Sequence, residues 1–151
     1  MICSNIAMIK LHEICWSIVF EYYTPQKANK ALPEVKKKFN LIVAIRDQII
    51  GLQEELQNLI EIDASLEKYM IKKQELNTAM LNLYKAIEDL EKTGIMIKSV
   101  DEGLLDFPSM RFKEEVWLCW KAGEEEVKFW HGKNEGFIGR KPLPIKDESL
   151  V

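Results

Sequence analysis

The chain is expected to fold as an α+β protein, a long antiparallel helical hairpin of coiled-coil character followed by a small antiparallel β-meander. Three observations support this. Apolar residues recur at helical spacing from Val35 to Leu90, the phase of that pattern slips once near residues 60–66, and the period changes to alternation at Gly94.

Residues 1–16 read as an N-terminal extension. Lys10, His12 and Glu13 interrupt their apolar run before it reaches transmembrane length, and no small-residue cleavage site follows. Met8 offers an alternative start. Residues 16–23 (WSIVFEYY) are aromatic and β-branched and predict a short strand. Thr24 and Pro25 then open a helix: the hydroxyl can cap it, and proline at the first helical position loses no hydrogen bond. Pro33 predicts a kink or restart after Leu32, because the residue before proline is pushed away from helical geometry.

Ile42, Ile45, Ile49, Leu52, Leu56 and Leu59 form a heptad seam that Val35 extends backwards. Gly51 weakens it by ~1 kcal/mol relative to alanine. A second seam runs through Leu76, Met80, Leu83, Ile87 and Leu90, out of phase with the first. Continuing the first would bury Asp63, Lys73 and Asn77. A hairpin with Asp63 or Ser65 as the new cap avoids that, and one continuous helix with a stutter is the alternative.

Thr93-Gly94 ends the helical region, residues 25–93. Residues 94–131 then predict four strands: Ile95–Lys98, Leu104–Phe107, Glu115–Trp120 and Glu126–His131. Turns fall at Asp101–Gly103 and Ala122-Gly123, and Pro108 stops the second strand or places it at an edge. Residues 132–151 read as an irregular tail, with residues 145–151 disordered. Together, residues 1–151 are expected to form one domain.

The composition bounds the function. A hydrophobic fraction of 47% and a charged fraction of 30% are those of an ordinary folded protein, and the net charge of −3 leaves no basic footprint for nucleic acid. Cys3, Cys15 and Cys119 are odd in number and lack C-x-x-C spacing, against both a disulfide framework and a zinc knuckle. A cytoplasmic protein with no cofactor and no membrane anchor is expected.

Several motifs carry a resemblance. Tyr22–Val35 (YYTPQKANKALPEV), Gly94-Ile95, Gly103–Pro108 (GLLDFP), Val116–Trp120 (VWLCW), Trp130-His131 and Glu135–Leu143 (EGFIGRKPL) occur in the order seen in a family of small bacterial and archaeal proteins. The chain resembles that family, domain of unknown function twenty-two oh three, from about Tyr22 to Leu143. The resemblance implies a common fold and a shared role for the polar motif residues, and no activity.

Those polar residues are Asp106, His131, Glu135 and Arg140, with Cys119 as a further member. Imidazole, carboxylate and thiolate can ligate a metal, but His131 is the sole histidine of the matched region, so no metal is assigned, and a small-ligand or metal-dependent site built from Asp106, His131, Glu135 and Arg140 is the alternative function. Cys119 as nucleophile with His131 as base is a second reading. The simplest is architectural: Arg140 pairs with Asp106 or Glu135 and pins the tail to the sheet, with Phe137 plugging the sheet face. Trp117, Trp120, Trp130 and Phe137 are a candidate aromatic surface for single-stranded nucleic acid, opposed by Glu114, Glu115 and Glu124–Glu126. Ile50, Ile60, Ile62 and Tyr84 lie off both helical seams. A non-enzymatic interaction or scaffold module that dimerises through its helices is therefore the leading expectation.

Overall fold

The computed structural model describes residues 21–144. Helix α1 spans Pro25–Glu61 and α2 spans Leu66–Glu91. Five strands follow, β1 (Met96–Ser99), β2 (Leu104–Arg111), β3 (Glu114–Lys121), β4 (Phe129–Gly132) and β5 (Lys141–Pro142), with a short 3-10 turn at Phe137–Gly139. They form one antiparallel sheet in sequence order. The α+β class, the hairpin and the meander are as the residue pattern predicts, with β5 as an added edge. The expected extension at residues 1–16, the alternative start at Met8, Cys3, Cys15 and the expected disorder of 145–151 lie outside the described residues. Among the described residues, no helix is long and apolar enough to cross a membrane.

The predicted strand at 16–23 falls partly outside the described residues, and residues 21–24 are not a strand. They nevertheless take a sheet-like role. The Tyr23 N–H donates to the Pro108 carbonyl at 2.7 Å, and Ser109 Oγ donates to the Tyr23 carbonyl at 2.7 Å. This explains why Pro108 does not stop β2. β1 pairs with β2 only as far as Asp106, so Pro108 faces a side with no ladder partner that would need its missing N–H. β2 runs on to Arg111 and turns at Phe112-Lys113, both at positive φ (49° and 66°).

Helix α1 starts as predicted: Thr24 Oγ1 accepts the Lys27 N–H at 3.2 Å with Pro25 at the first position. It does not restart at Pro33, which sits inside a continuous helix. One absent hydrogen bond is outweighed there by burial of Ala28, Leu32, Val35 and Phe39 on both sides of the proline. The reversal falls where the phase slip places it. Asp63 takes the left-handed conformation (φ 48°) usually given to glycine, and the Asp63 and Ala64 N–H groups close on the Ile60 and Leu59 carbonyls. Ser65 precedes α2 as its N-cap residue, with no capping bond from its side chain. The α2 seam differs in detail from expectation: Leu76, Ala79, Ala86 and Leu90 are buried with Leu83 beside them, while Met80 is exposed. Alanines occupy the seam where methionine and isoleucine were expected, and Met80 and Ile87 fall to its flank.

Gly94 (φ 83°) ends the helical region, and Ile95 enters the core. Leu105, Phe107, Val116, Leu118 and Trp120 from one sheet face pack on Ala28, Leu32, Val35, Phe39, Ile42 and Leu90. A separate cluster of Ile49, Leu52, Leu56, Leu76 and Ala79 holds the outer half of the hairpin, with no sheet residue in it. With 37 residues in α1, the helix is about 55 Å long, so its distal half projects as a two-helix arm.

Asn29 ties the helix to the sheet. Its amide donates to the Val127 carbonyl at 3.3 Å and its oxygen accepts the Val127 N–H at 2.7 Å. Asn29→Ala strands both groups of a buried residue and is expected to lower unfolding free energy by about 1–3 kcal/mol, read by urea denaturation followed by circular dichroism. An unchanged midpoint would show that this tether contributes nothing.

Candidate functional site

Alternation decides which side chains meet. Asp106 is the register partner of Cys119, and Trp117 that of His131. Asp106, Cys119, His131, Trp117, Phe129, Met96 and Lys98 therefore share the sheet face turned away from the helices. The tail from Lys133 to Leu143 crosses that side through Phe137 and Arg140.

Asp106, Cys119 and His131 are each no more than 2% exposed. His131 Nδ1 lies 2.9 Å from the Gly132 carbonyl, which can only accept, so Nδ1 carries a proton. Nε2 then faces Asp106 Oδ2 at 3.2 Å. A neutral imidazole with this tautomer and an ionised carboxylate would set two lone pairs against each other. A proton or a cation has to lie between them.

Both imidazole nitrogens are thus engaged, and neither is available as a base for Cys119. Burial, followed by the neighbouring Asp106 carboxylate, pushes the Cys119 thiol up to about 12, with Arg140 opposing. A thiol so held stays protonated, the reverse of an activated nucleophile. The Cys–His catalytic reading draws no support from this arrangement.

Arg140 does not pair with Asp106 or Glu135. Its guanidinium is stacked between Phe129 and Phe137, 4.1 Å and 4.3 Å from the ring centres. Nη1 lies 2.9 Å from Glu124 Oε1, an ion pair whose angle falls outside hydrogen-bond geometry. Glu124 belongs to the β3–β4 turn, so the tail is pinned to that turn. Glu135 stands one step from the buried trio. It accepts the Gly132 N–H at 2.9 Å and pairs with Lys141 at 3.0 Å, and these contacts, the backbone donor first, hold its carboxyl below the usual range. Gly132 is thereby gripped at both ends, its N–H by Glu135 and its carbonyl by His131. Lys98 reaches within 3.9 Å of Asp106 Oδ2 while lying over the Trp117 ring at 5.2 Å.

Sequence reasoning overlooked Lys98, Gly132, Glu124 and Phe129. Alternation could have found Phe129, two residues from His131. Nothing local marks Glu124. The four candidate aromatic residues divide between faces. Trp120 is buried against Phe39 and donates to the Glu124 carbonyl, and Trp130 packs on the helical side; Trp117 and Phe137 lie on the outer side. They offer no single platform on which successive bases could stack. A groove of about 260 Å³ lined by Tyr22, Met96, Pro108, Trp117 and Lys133 opens beside the cluster, but the buried trio does not line it.

Residues 21–143 match the family described as "Uncharacterized conserved protein (DUF2203)", and the chain belongs to that family. No curated protein and no solved structure matches it.

Two outcomes follow from this geometry. Asp106→Ala and His131→Ala each leave an uncompensated buried polar group and are expected to cost about 3–5 kcal/mol. The double variant should cost less than their sum by more than about 1 kcal/mol, read as a thermodynamic cycle; strict additivity would deny the pairing. Cys119 gives a pH signature. The native thiol keeps its proton while the unfolded one, near pH 8.5, releases it. Stability should therefore fall as pH rises from about 8.5 toward about 12, and Cys119→Ala should flatten that part of the profile.

Proposed function

We propose that this member of the DUF2203 family is a non-enzymatic interaction module that self-associates through the distal arm of its hairpin. The observation that carries this is an uncovered apolar stripe. Leu66, Met70, Met80 and Tyr84 on α2, with Ile50 and Ile60 on α1, are exposed, from 39% at Met80 to 74% at Leu66.

These residues form a coherent surface. On α2 the positions 66, 70, 73, 77, 80, 84 and 87 repeat at helical spacing alongside the seam. On α1, Ile60 is displaced by whole heptads from Leu32 and Phe39, which meet the sheet, so the stripe is the distal continuation of the sheet-binding side. The sheet covers its proximal end. The polar positions within it are Gln53, Gln57, Lys73 and Asn77, of which only Lys73 is charged.

A second copy of the hairpin suits such a surface. An almost uncharged stripe can face itself across a two-fold axis without like-charge repulsion, giving a four-helix bundle in which each arm buries what the other leaves open. Light scattering at micromolar concentration is expected to give twice the 17.6 kDa chain mass. Met70→Glu combined with Tyr84→Glu should yield monomer with unchanged helical circular dichroism. A wild-type chain that stays monomeric, or a dimer indifferent to these substitutions, would overturn the reading.

A further inference from the structure

We propose that Asp106, Cys119 and His131 form a binding site for one thiophilic divalent cation of the zinc class. This is independent of self-association, because the cluster lies on the sheet face away from the helices.

The donor atoms are already gathered. The carboxylate oxygen, the imidazole nitrogen and the sulfur all lie within 4.8 Å of one another, with 3.2 Å between Asp106 Oδ2 and His131 Nε2. Tetrahedral coordination, with bonds of about 2.0 Å to nitrogen or oxygen and about 2.3 Å to sulfur, requires separations of about 3.3 Å between oxygen and nitrogen and about 3.5 Å from either to sulfur. The oxygen–nitrogen pair stands near that spacing, and the sulfur needs to close by at most about 1.3 Å. All three side chains come from adjacent paired strands, so the backbone holds the set without a mobile loop.

The imidazole is also oriented as a ligand. Its Nδ1–H donates to the Gly132 carbonyl, which leaves the Nε2 lone pair directed at Asp106. A metal-bound histidine usually holds its second nitrogen in such a bond. Glu135, by gripping the Gly132 N–H, steadies the peptide that does this. The ion would take the place of the proton that otherwise lies between the two atoms.

Charge balance favours a divalent ion. Around it, a carboxylate, a neutral imidazole and a thiolate that has given its proton to water together match the charge of M²⁺. A neutral buried cluster avoids the desolvation cost of a net charge. Lys98 near Asp106 and Arg140, held by Glu124 and the two phenyl rings, border the site and favour an anionic or water-derived fourth ligand. The mixed sulfur, nitrogen and oxygen set suits zinc, or cobalt as its probe, over magnesium or calcium.

Cobalt(II) titration of metal-stripped full-length protein tests this, in a Cys3→Ser/Cys15→Ser background that leaves Cys119 as the sole thiol. One equivalent should bind at micromolar concentration, with tetrahedral visible bands and a near-ultraviolet thiolate-to-cobalt band, both bleached by zinc. Cys119→Ser should remove the near-ultraviolet band, and Asp106→Asn should weaken binding at least tenfold with native circular dichroism. No saturable binding by the folded background protein, or a thiolate band that survives Cys119→Ser, would overturn the proposal. The decisive readout is cobalt binding by the background protein itself, so a variant that fails to fold does not obscure the outcome.

Discussion

The alternation of side chains along β2 and β3 is the constraint from which the arrangement follows. Leu105, Phe107, Leu118 and Trp120 point to the helices, and Asp106, Cys119 and Trp117 point the other way. A slip of one residue between these strands would drive a carboxylate into the aliphatic core and expose four large apolar groups. The register is held from both ends. Phe112-Lys113 close the hairpin tightly, while at the other end Gly103 (φ 68°) packs so close to Ala122 that an added Cβ would lie 2.3 Å from the Ala122 Cβ.

With that register in place, the remaining elements act as covers. The proximal hairpin covers one face, locked by Asn29 to the Val127 backbone and by the Tyr23 hydroxyl to the Thr93 carbonyl at 2.8 Å. Tyr23 also meets Phe107 edge-on, so the segment before α1 reaches both helix end and sheet. On the other face, the tail is laid down by stacking: Arg140 lies between Phe129 and Phe137, and the Leu143 N–H donates to the Lys128 carbonyl at 2.7 Å. A cation between two aromatic faces contributes on the order of 1–2 kcal/mol when partly desolvated, enough to order a short irregular segment but weaker than a second layer of helix.

Much of this is legible in the residue pattern, because burial on one side imposes periodicity. The change of rhythm at Gly94 separates helices from sheet, and the slip between the Leu59 and Leu76 seams marks a reversal that no glycine or proline announces. What the pattern misreads are local rules overridden by tertiary contacts. Pro33 and Pro108 both forbid a hydrogen bond, yet Pro33 is carried by the burial of its neighbours, and Pro108 sits where β1 has already ended. The meeting of Asp106, Cys119 and His131 is legible once strand register is known, since each occupies an alternating position. The partner of Arg140 is not, because Glu124 lies in a turn among three glutamates and only the path of the tail selects it.

The buried cluster is not what the fold alone would require. The same face could be filled with aliphatic side chains, and replacing a buried ion pair with well-packed apolar groups is commonly neutral or stabilising. The cluster instead concentrates a carboxylate, an imidazole and a thiol within one pocket of low dielectric, and orients the imidazole through a peptide that an exposed glutamate grips from outside. An architectural salt bridge needs two partners and no such control of the tautomer. A ligand set needs three converging donors and an imidazole held by its other nitrogen, and these are the features the outer face of the sheet brings together.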